Sequence, residues 1–428
     1  MLHDEKSKKV AILGGIRIPF CRAHTNYKKL SNQDMMTATL EALVNNFSIH
    51  NEQLGEVTLG AVIKHSSDFN LARECVIGSG LSLNTPGVDM QRACGTSLEA
   101  TIHIANKIAL GQIKSGIAGG TDSISDTPIV FSDNYREILL NSFQGKSMID
   151  KIKPWLSFHL KYLKPKLPAV VEPQTGLSMG ESTEIMAKTF NVTREAQDAL
   201  ALESHNKTAK AYDEGFYKDL IIPYKNIMED NNIRRNTSMK KLGSLRPVFD
   251  KKNTGTMTAG NSTPLTDGAA SILLSSEEWA REKNIPIKAY FTHCKVAAVD
   301  FIKKEGLLMA PVYAVSEMLN EAGLKLQDFD FYEIHEAFAA QTIATLNAWE
   351  SEDFCKKKLS RNKAMGSIDM SKVNTKGGSI AIGHPFAATG ARIVATMAKL
   401  LETKGSGRGL ISICTAGGMG ISAIMESI

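Results

Sequence analysis

Gly87-Val-Asp-Met-Gln-Arg-Ala-Cys94-Gly-Thr-Ser97 is the stretch on which the reading of this chain turns. A short strand is expected to stop near Cys94, and a helix with small residues on one face to follow from Ser97 to Ala109. The glycine-rich strand signal Ile117-Ala-Gly-Gly-Thr-Asp122 comes next. Upstream, Val10-Ala-Ile-Leu-Gly-Gly-Ile and Val57–Ile63 read as short buried strands, with helical periodicity over residues 34–47 between them. Downstream, Asp328–Ile334 reads as a strand running into His335-Glu-Ala-Phe. Gly377-Gly-Ser-Ile-Ala-Ile-Gly-His384-Pro then leads into a helix from Ala388 to Leu401, and Gly409-Leu-Ile-Ser-Ile-Cys414-Thr-Ala-Gly-Gly is a strand ending in glycines. Strands alternating with helices predict an α/β architecture. The last third also repeats the first. Cys94 and His384 each fall at a strand-to-helix turn, and Gly119-Gly120 and Gly417-Gly418 each close the strand that follows. Two similar halves would face one another, and a duplicated fold sets the same turn of each half near one pseudo-twofold axis, so Cys94 and His384 are expected to converge.

Residues 125–250 interrupt this pattern with many of the chain's prolines and lysines. Helical periodicity at Glu181–Phe190 and Arg194–Tyr217 marks an inserted unit rather than a linker. From Lys151 to Val171 there are five lysines and no acidic residue, with Trp155, Leu156, Phe158, Leu160, Tyr162 and Leu163 between them. That stretch reads either as a solvated basic surface or as an amphipathic helix able to lie on a membrane. Residues 257–274 predict a turn, a helix and a strand.

The length of 428 residues suggests two or three domains. With 43% apolar and 22% charged residues, a disordered or fibrous chain is excluded. A net charge of +5 gives no argument for nucleic acid. The six cysteines show no CxxC spacing, against zinc ribbons and thioredoxin-type sites, and a reducing cytosol or matrix fits them best. The mixed-charge start lacks a secretory pattern, and no apolar run reaches about 18 residues, so a soluble protein is expected.

Three side chains suggest chemistry. A thiol at Cys94, just ahead of a helix, would face the positive end of the helix dipole and free N–H groups, which favour the nucleophilic thiolate. His384, next to a proline suited to a first helical turn, would take the thiol proton and then donate to an oxyanion. Cys414 precedes a glycine-rich turn whose N–H groups form an anion nest, and a second thiol there could shuttle a proton. The plain alternatives are a structural cysteine, a satisfied core histidine and an inert strand cysteine. Other motifs fail. His335-Glu336 begins HExxH, but the fourth residue on is Ala339; Gly145-Lys146-Ser147 ends like a P-loop, but Leu140 stands where glycine is required. Gly405-Ser-Gly-Arg-Gly409 reads as a surface loop, because no helix pattern follows.

Six blocks in order resemble the thiolase family along nearly the whole chain: Gln91-Arg-Ala-Cys94-Gly-Thr-Ser, Gly176-Leu-Ser-Met-Gly-Glu-Ser-Thr-Glu, Thr258-Ala-Gly-Asn-Ser-Thr-Pro-Leu-Thr-Asp-Gly-Ala, His335-Glu-Ala-Phe-Ala-Ala-Gln, Gly377-Gly-Ser-Ile-Ala-Ile-Gly-His384-Pro and Cys414-Thr-Ala-Gly-Gly-Met-Gly. The resemblance implies a thiolase fold, with two duplicated βα halves in a layered αβαβα arrangement and an inserted loop domain. Residues 1–124 and 249–287 would form the first half, 125–248 the loop domain covering CoA, and 288–428 the second half. The implied activity is acetyl-CoA C-acyltransferase: a 3-ketoacyl-CoA thiolase that uses a Cys94 acyl-enzyme in fatty-acid β-oxidation. His335, where many biosynthetic thiolases carry Asn, and the basic insertion are most similar to the β-subunit of the fatty-acid oxidation trifunctional complex.

By the same resemblance, His384 takes the Cys94 proton and Cys414 protonates the leaving enolate. One oxyanion site lies between His384 and a water held by His335, whose tautomer then matters; the other uses N–H groups of Cys94 and Ala416, where many relatives have Gly. Thr263, beside Ser262, is implied near the pantetheine and Met179 near the reactive end. No metal or redox cofactor is implied, CoA being a substrate. The implied partners are acyl-CoA and CoA, a second copy in a homodimer core, and an α-subunit (hydratase/dehydrogenase) in an α2β2 complex. Residues 151–171 would add membrane contact, partner docking or a tunnel for long acyl chains. A bacterial cytoplasm is expected over a mitochondrial matrix. The competing readings are a biosynthetic acetoacetyl-CoA thiolase, a ketoacyl-synthase-like condensing enzyme, and a non-catalytic lipid-binding homologue.

Overall fold

The computed structural model describes residues 7–166, 171–250 and 254–427. Ten strands lie among them: β1 (Val10–Arg17), β2 (Cys21–Arg22), β3 (Glu56–Leu59), β4 (Gly87–Asp89), β5 (Ser115–Asp122), β6 (Thr266–Ser276), β7 (Ala289–Ala298), β8 (Phe331–Ile334), β9 (Arg408–Thr415) and β10 (Met419–Glu426). Their order is β4-β3-β5-β6-β1-β7-β10-β9-β8, with β2 paired to β6. The duplication read from the sequence is visible in the pairing. In the first half β3 runs parallel to β5, β5 antiparallel to β6, and β6 antiparallel to β1. In the second half β8 runs parallel to β9, β9 antiparallel to β10, and β10 antiparallel to β7. The halves also meet edge to edge, where Ala11 and Ile12 of β1 pair with Tyr290 and Ala289 of β7.

Side-chain alternation along the strands builds five layers. Val10 and Ile12 enter one core, Ala11 and Leu13 another. The first of these cores holds the helices Thr96–Ala109 and Thr389–Lys404 and receives side chains from both half-sheets, Ile272 from the first and Ile413 from the second. Outside the first half-sheet, Leu40 and Leu43 of the helix Asn32–Phe47 pack on Leu273. Outside the second, Val315 and Leu319 of the helix Ala310–Ala322 pack with Leu410 and Ile424. The sequence is therefore α, β, α, β, α, the layered fold expected.

The two central helices touch at their N-terminal ends. A Cβ on Gly390 would lie 2.4 Å from the Leu98 nitrogen, so only glycine permits the approach. Ser97 Oγ accepts the Ala391 N–H at 2.8 Å across the same contact. This junction carries the turns holding Cys94 and His384.

Several local expectations change. Gly119 and Gly120 lie inside β5 opposite Ser271 and Ala270 rather than closing it, whereas Gly417 and Gly418 occupy the β9–β10 turn with φ of 78° and 69°. Gly120 has its own reason: a Cβ there would meet the Ala387 carbonyl oxygen at 2.2 Å. The approach to His384 is a helical turn, Ser379–Ile382, and not a strand. Residues 257–265 form no helix before β6, because Asn261 turns the chain by accepting the Thr258 N–H. Residues 151–166 form no amphipathic helix beyond Ile152. Two 3-10 turns, Lys153–Ser157 and Leu160–Leu163, follow, consistent with Pro154 and Pro165. Residues 167–170 of that stretch lie outside the described residues.

Candidate active site

Cys94 immediately precedes the helix cap Gly95, after Ala93, whose φ is 43°. A non-glycine residue in the left-handed region costs on the order of 1–3 kcal/mol, held here by the Thr96 hydroxyl accepting the Arg92 N–H and donating to the Ala93 carbonyl. His384 follows Gly383, at φ 107°, where a Cβ would strike Asn232 Nδ2 at 2.5 Å. Asn232 in turn donates to the Ile382 carbonyl at 3.1 Å. Cys414 closes the buried strand β9.

These three residues line one cavity of about 370 Å³. Met179, Thr263 and Ala416 share its wall, and the rest is largely apolar, with Val62, Phe249, Leu308, Phe338 and Phe386. Met179 opens the helix Met179–Thr189, which a Ser178–Glu181 capping box starts. Thr263 is fixed by donating its hydroxyl to the Ala337 carbonyl at 3.0 Å. Ser262 is not on the cavity wall; it is buried and pairs with Phe338 in an isolated bridge. His335 also stays off the wall. It lies buried behind His384, with ring centroids 4.2 Å apart. A roomier cavity, about 540 Å³ within the insertion, is lined by residues such as Asn134, Glu137, Asp150 and Lys153 and by no sulfur or imidazole.

Burial dominates the electrostatics. It pushes the Cys94 thiol up to about 12, although the Ala416 N–H and the residue's own N–H pull the other way. The thiolate expected from the helix dipole is thus outweighed by loss of water, and Cys94 rests as a neutral thiol. Burial also raises Cys414 well above the ordinary thiol value, with the nearby Cys94 adding to it. Burial and then the Arg392 charge lower His384 to about 3, leaving a neutral imidazole. His335 is lowered well below 6.5 by burial, then His384 and Arg392. Cys94, His335 and His384 each offer one donor atom, all within 4.8 Å of one another. One sulfur and two imidazoles also form a soft-metal donor set; as neutral groups they could serve as a nucleophile beside a base and a hydrogen-bonding partner.

Residues not singled out in the sequence complete the arrangement. Asp122 accepts the N–H groups of Val62, Ile63 and Ala387, tying two walls of the cavity to β5. Glu172 accepts the Gly417 N–H at 2.7 Å and holds the turn after Cys414. Thr389 and Ser379 each meet one imidazole Nδ1. Ser379 lies inside the quoted Gly377–Pro385 block and Thr389 just beyond it, but the role of each depends on a ring it meets only in three dimensions.

The chain matches two family descriptions, "Thiolase, N-terminal domain" over residues 10–278 and "Thiolase, C-terminal domain" over 285–427. It is 40% identical over 431 residues to a "3-ketoacyl-CoA thiolase" of Yersinia pestis (strain Pestoides F), covering 99% of this chain and 98% of the relative. Among solved structures, an acetyl-CoA acetyltransferase of Bacillus anthracis is similar with a TM-score of 0.82 and 28% identity, covering 99% of this chain and all of that one. Human mitochondrial 3-ketoacyl-CoA thiolase in complex with CoA is similar with a TM-score of 0.81 and 27% identity, covering 98% of each chain.

Proposed function

The chain belongs to the thiolase family of acyltransferases, and on that premise we propose that it cleaves 3-ketoacyl-CoA with CoA, giving acetyl-CoA and a shortened acyl-CoA, in fatty-acid β-oxidation. The observation that carries this reading is the cavity in which Cys94, His384 and Cys414 meet among apolar side chains. Cys94 sulfur attacks the 3-keto carbonyl while His384 takes its proton. Carbon–carbon cleavage leaves the acyl group on Cys94 and expels the acetyl-CoA enolate, which Cys414 protonates. CoA thiol then gives its proton to Cys414 and takes the acyl group, and the proton held by His384 returns to the departing Cys94 sulfur, restoring the thiol and the neutral imidazole. The Ala416 N–H, directed at Cys94, would stabilise one oxyanion, and the imidazole pair the other. The thioester supplies the leaving group, so these steps need no resident metal or redox cofactor.

A basic cleft of about 470 Å³, lined by Arg234, Arg235 and Lys241 beside Ala259 and Gly260, is our assignment for the CoA phosphates, with 125–248 as the covering unit. For the insertion we propose contact with an α-subunit or a membrane surface, around a homodimer core in a bacterial cytoplasm. Leu156 and Leu160 are 84% and 79% exposed beside Lys153 and Lys161, which supports such a contact. Among the described residues, no helix is long and apolar enough to cross a membrane. Deleting 151–171 is expected to weaken long-chain turnover, α-subunit binding or liposome binding; retention of all three would refute this role. The activity itself is tested by comparing turnover of 3-ketohexadecanoyl-CoA and acetoacetyl-CoA. Preference for the long chain with acyl mass on Cys94 is expected; activity on acetoacetyl-CoA alone would favour the biosynthetic reading.

A further inference from the structure

Two imidazoles with centroids 4.2 Å apart serve opposite needs only if their protons sit on opposite nitrogens. Among the described residues both Nε2 atoms are buried without a partner, while both Nδ1 atoms are bonded to hydroxyls. What those hydroxyls do elsewhere decides where each proton lies. Thr389 Oγ1 donates to the Pro385 carbonyl at 3.2 Å, so its single proton is committed. With that proton on the carbonyl, the 2.5 Å contact with His384 Nδ1 has the ring donating, and Nε2 of His384 is then a bare lone pair. At His335 the order reverses. Arg392 can only donate, and its Nη2 donates to Ser379 Oγ at 2.8 Å. The Ser379 proton is left for its other contact, His335 Nδ1 at 2.8 Å. Were His335 to donate instead, the Ser379 proton would have no acceptor among the described residues in a buried site, which is unfavourable. Arg392 is itself anchored by Glu333 at 3.5 Å, both nearly inaccessible.

We infer that Thr389 and the Glu333–Arg392–Ser379 chain act as positioning residues that lock the two rings in opposite tautomers, His384 with a bare Nε2 and His335 with an Nε2–H. One ring is then a ready acceptor for the Cys94 proton and the other a ready donor for an oxyanion or its water. Two bare nitrogens would provide no donor, and two protonated ones no base. The catalytic meaning rests on the proposed thiolase reaction; the tautomers do not.

The test uses the full chain labelled with [15N]histidine, at rest and without acyl-CoA. Nitrogen–proton correlation spectra distinguish protonated from bare ring nitrogens, with His335→Asn and His384→Asn giving the assignments. The expected pattern is Nδ1–H on His384 and Nε2–H on His335. Ser379→Ala should mix the His335 tautomers and lower kcat about tenfold or more with KM for CoA unchanged, less than the 10²–10³ lost when an oxyanion donor is removed. Ser379→Thr should restore both. Thr389→Val should move the His384 proton, with a kcat loss of about 10²–10⁴ as for a base held in the wrong tautomer, and Thr389→Ser should restore it. The same tautomer on both rings, or unchanged spectra in Ser379→Ala and Thr389→Val, would overturn the inference. The expected spectra in a protein inert toward 3-ketoacyl-CoA would support the tautomers and sink the activity instead.

Discussion

Replacing His384 by alanine tests whether the nucleophile is ionised in advance. The Cys94 thiol lies at about 12 and the His384 imidazole at about 3. Across that gap, moving the proton from Cys94 to His384 costs on the order of 12 kcal/mol at about 1.36 kcal/mol per pH unit. Attraction between the resulting thiolate and imidazolium, whose charged atoms lie within 4.8 Å of each other, returns about 3–4 kcal/mol at an effective dielectric constant of about 20. The ion pair is therefore scarce at rest, and the proton has to leave as the sulfur attacks. The lowered imidazole is uncharged above about pH 3, and the raised thiol keeps its proton up to about pH 12. Neither reactant changes between about pH 5 and 10, so the rate of Cys94 acylation by acetyl-CoA is expected to be level there. In His384→Ala only thiolate formed beforehand can react. Its rate should rise tenfold per pH unit and fall about 10²–10⁴ below wild type near neutrality. Quenched-flow mass spectrometry of the acylated protein across this range gives both profiles. A level profile in the variant, or a wild-type profile that breaks near 6.5 where an unperturbed imidazole titrates, would refute the reasoning.

Cys94→Ser should give no acyl-protein mass while keeping the wild-type circular dichroism spectrum; an acylated variant would count against Cys94 as nucleophile. Cys414→Ala should still acylate Cys94 yet lose cleavage and condensation, and near-normal condensation would reassign the second thiol. Gly378→Ala should destabilise the fold by about 1–3 kcal/mol in urea melts, because the new methyl would lie 2.1 Å from the buried Glu336 carboxylate that Ser204 and Asn374 hold. Asp230→Ala should cost about 3–5 kcal/mol, since it strands Arg17, buried and held by two bonds of 2.6 and 2.7 Å to that carboxylate.

Local pattern was enough to place the α/β alternation, the duplication and the three residues that line one cavity. The helix expected from Ser97 runs from Thr96 to Ala109, and the one expected from Ala388 starts at Thr389, because small-residue spacing and glycine breaks are properties of neighbouring residues. The six blocks likewise carry the family in their own order. Tertiary structure decided what neighbours cannot specify. Gly119 reads as a strand end by composition, yet it pairs inside β5. The helix dipole argues for a Cys94 thiolate, yet removal of water by the layers around it wins and leaves a thiol. His335 is legible in the sequence as a partner of His384, but its Nδ1 contact with Ser379, and through Ser379 with Arg392, is set by a different part of the chain. Charge state and proton position depend on which distant groups exclude water and which donate hydrogen bonds, and these partners are chosen only when the two halves close on each other.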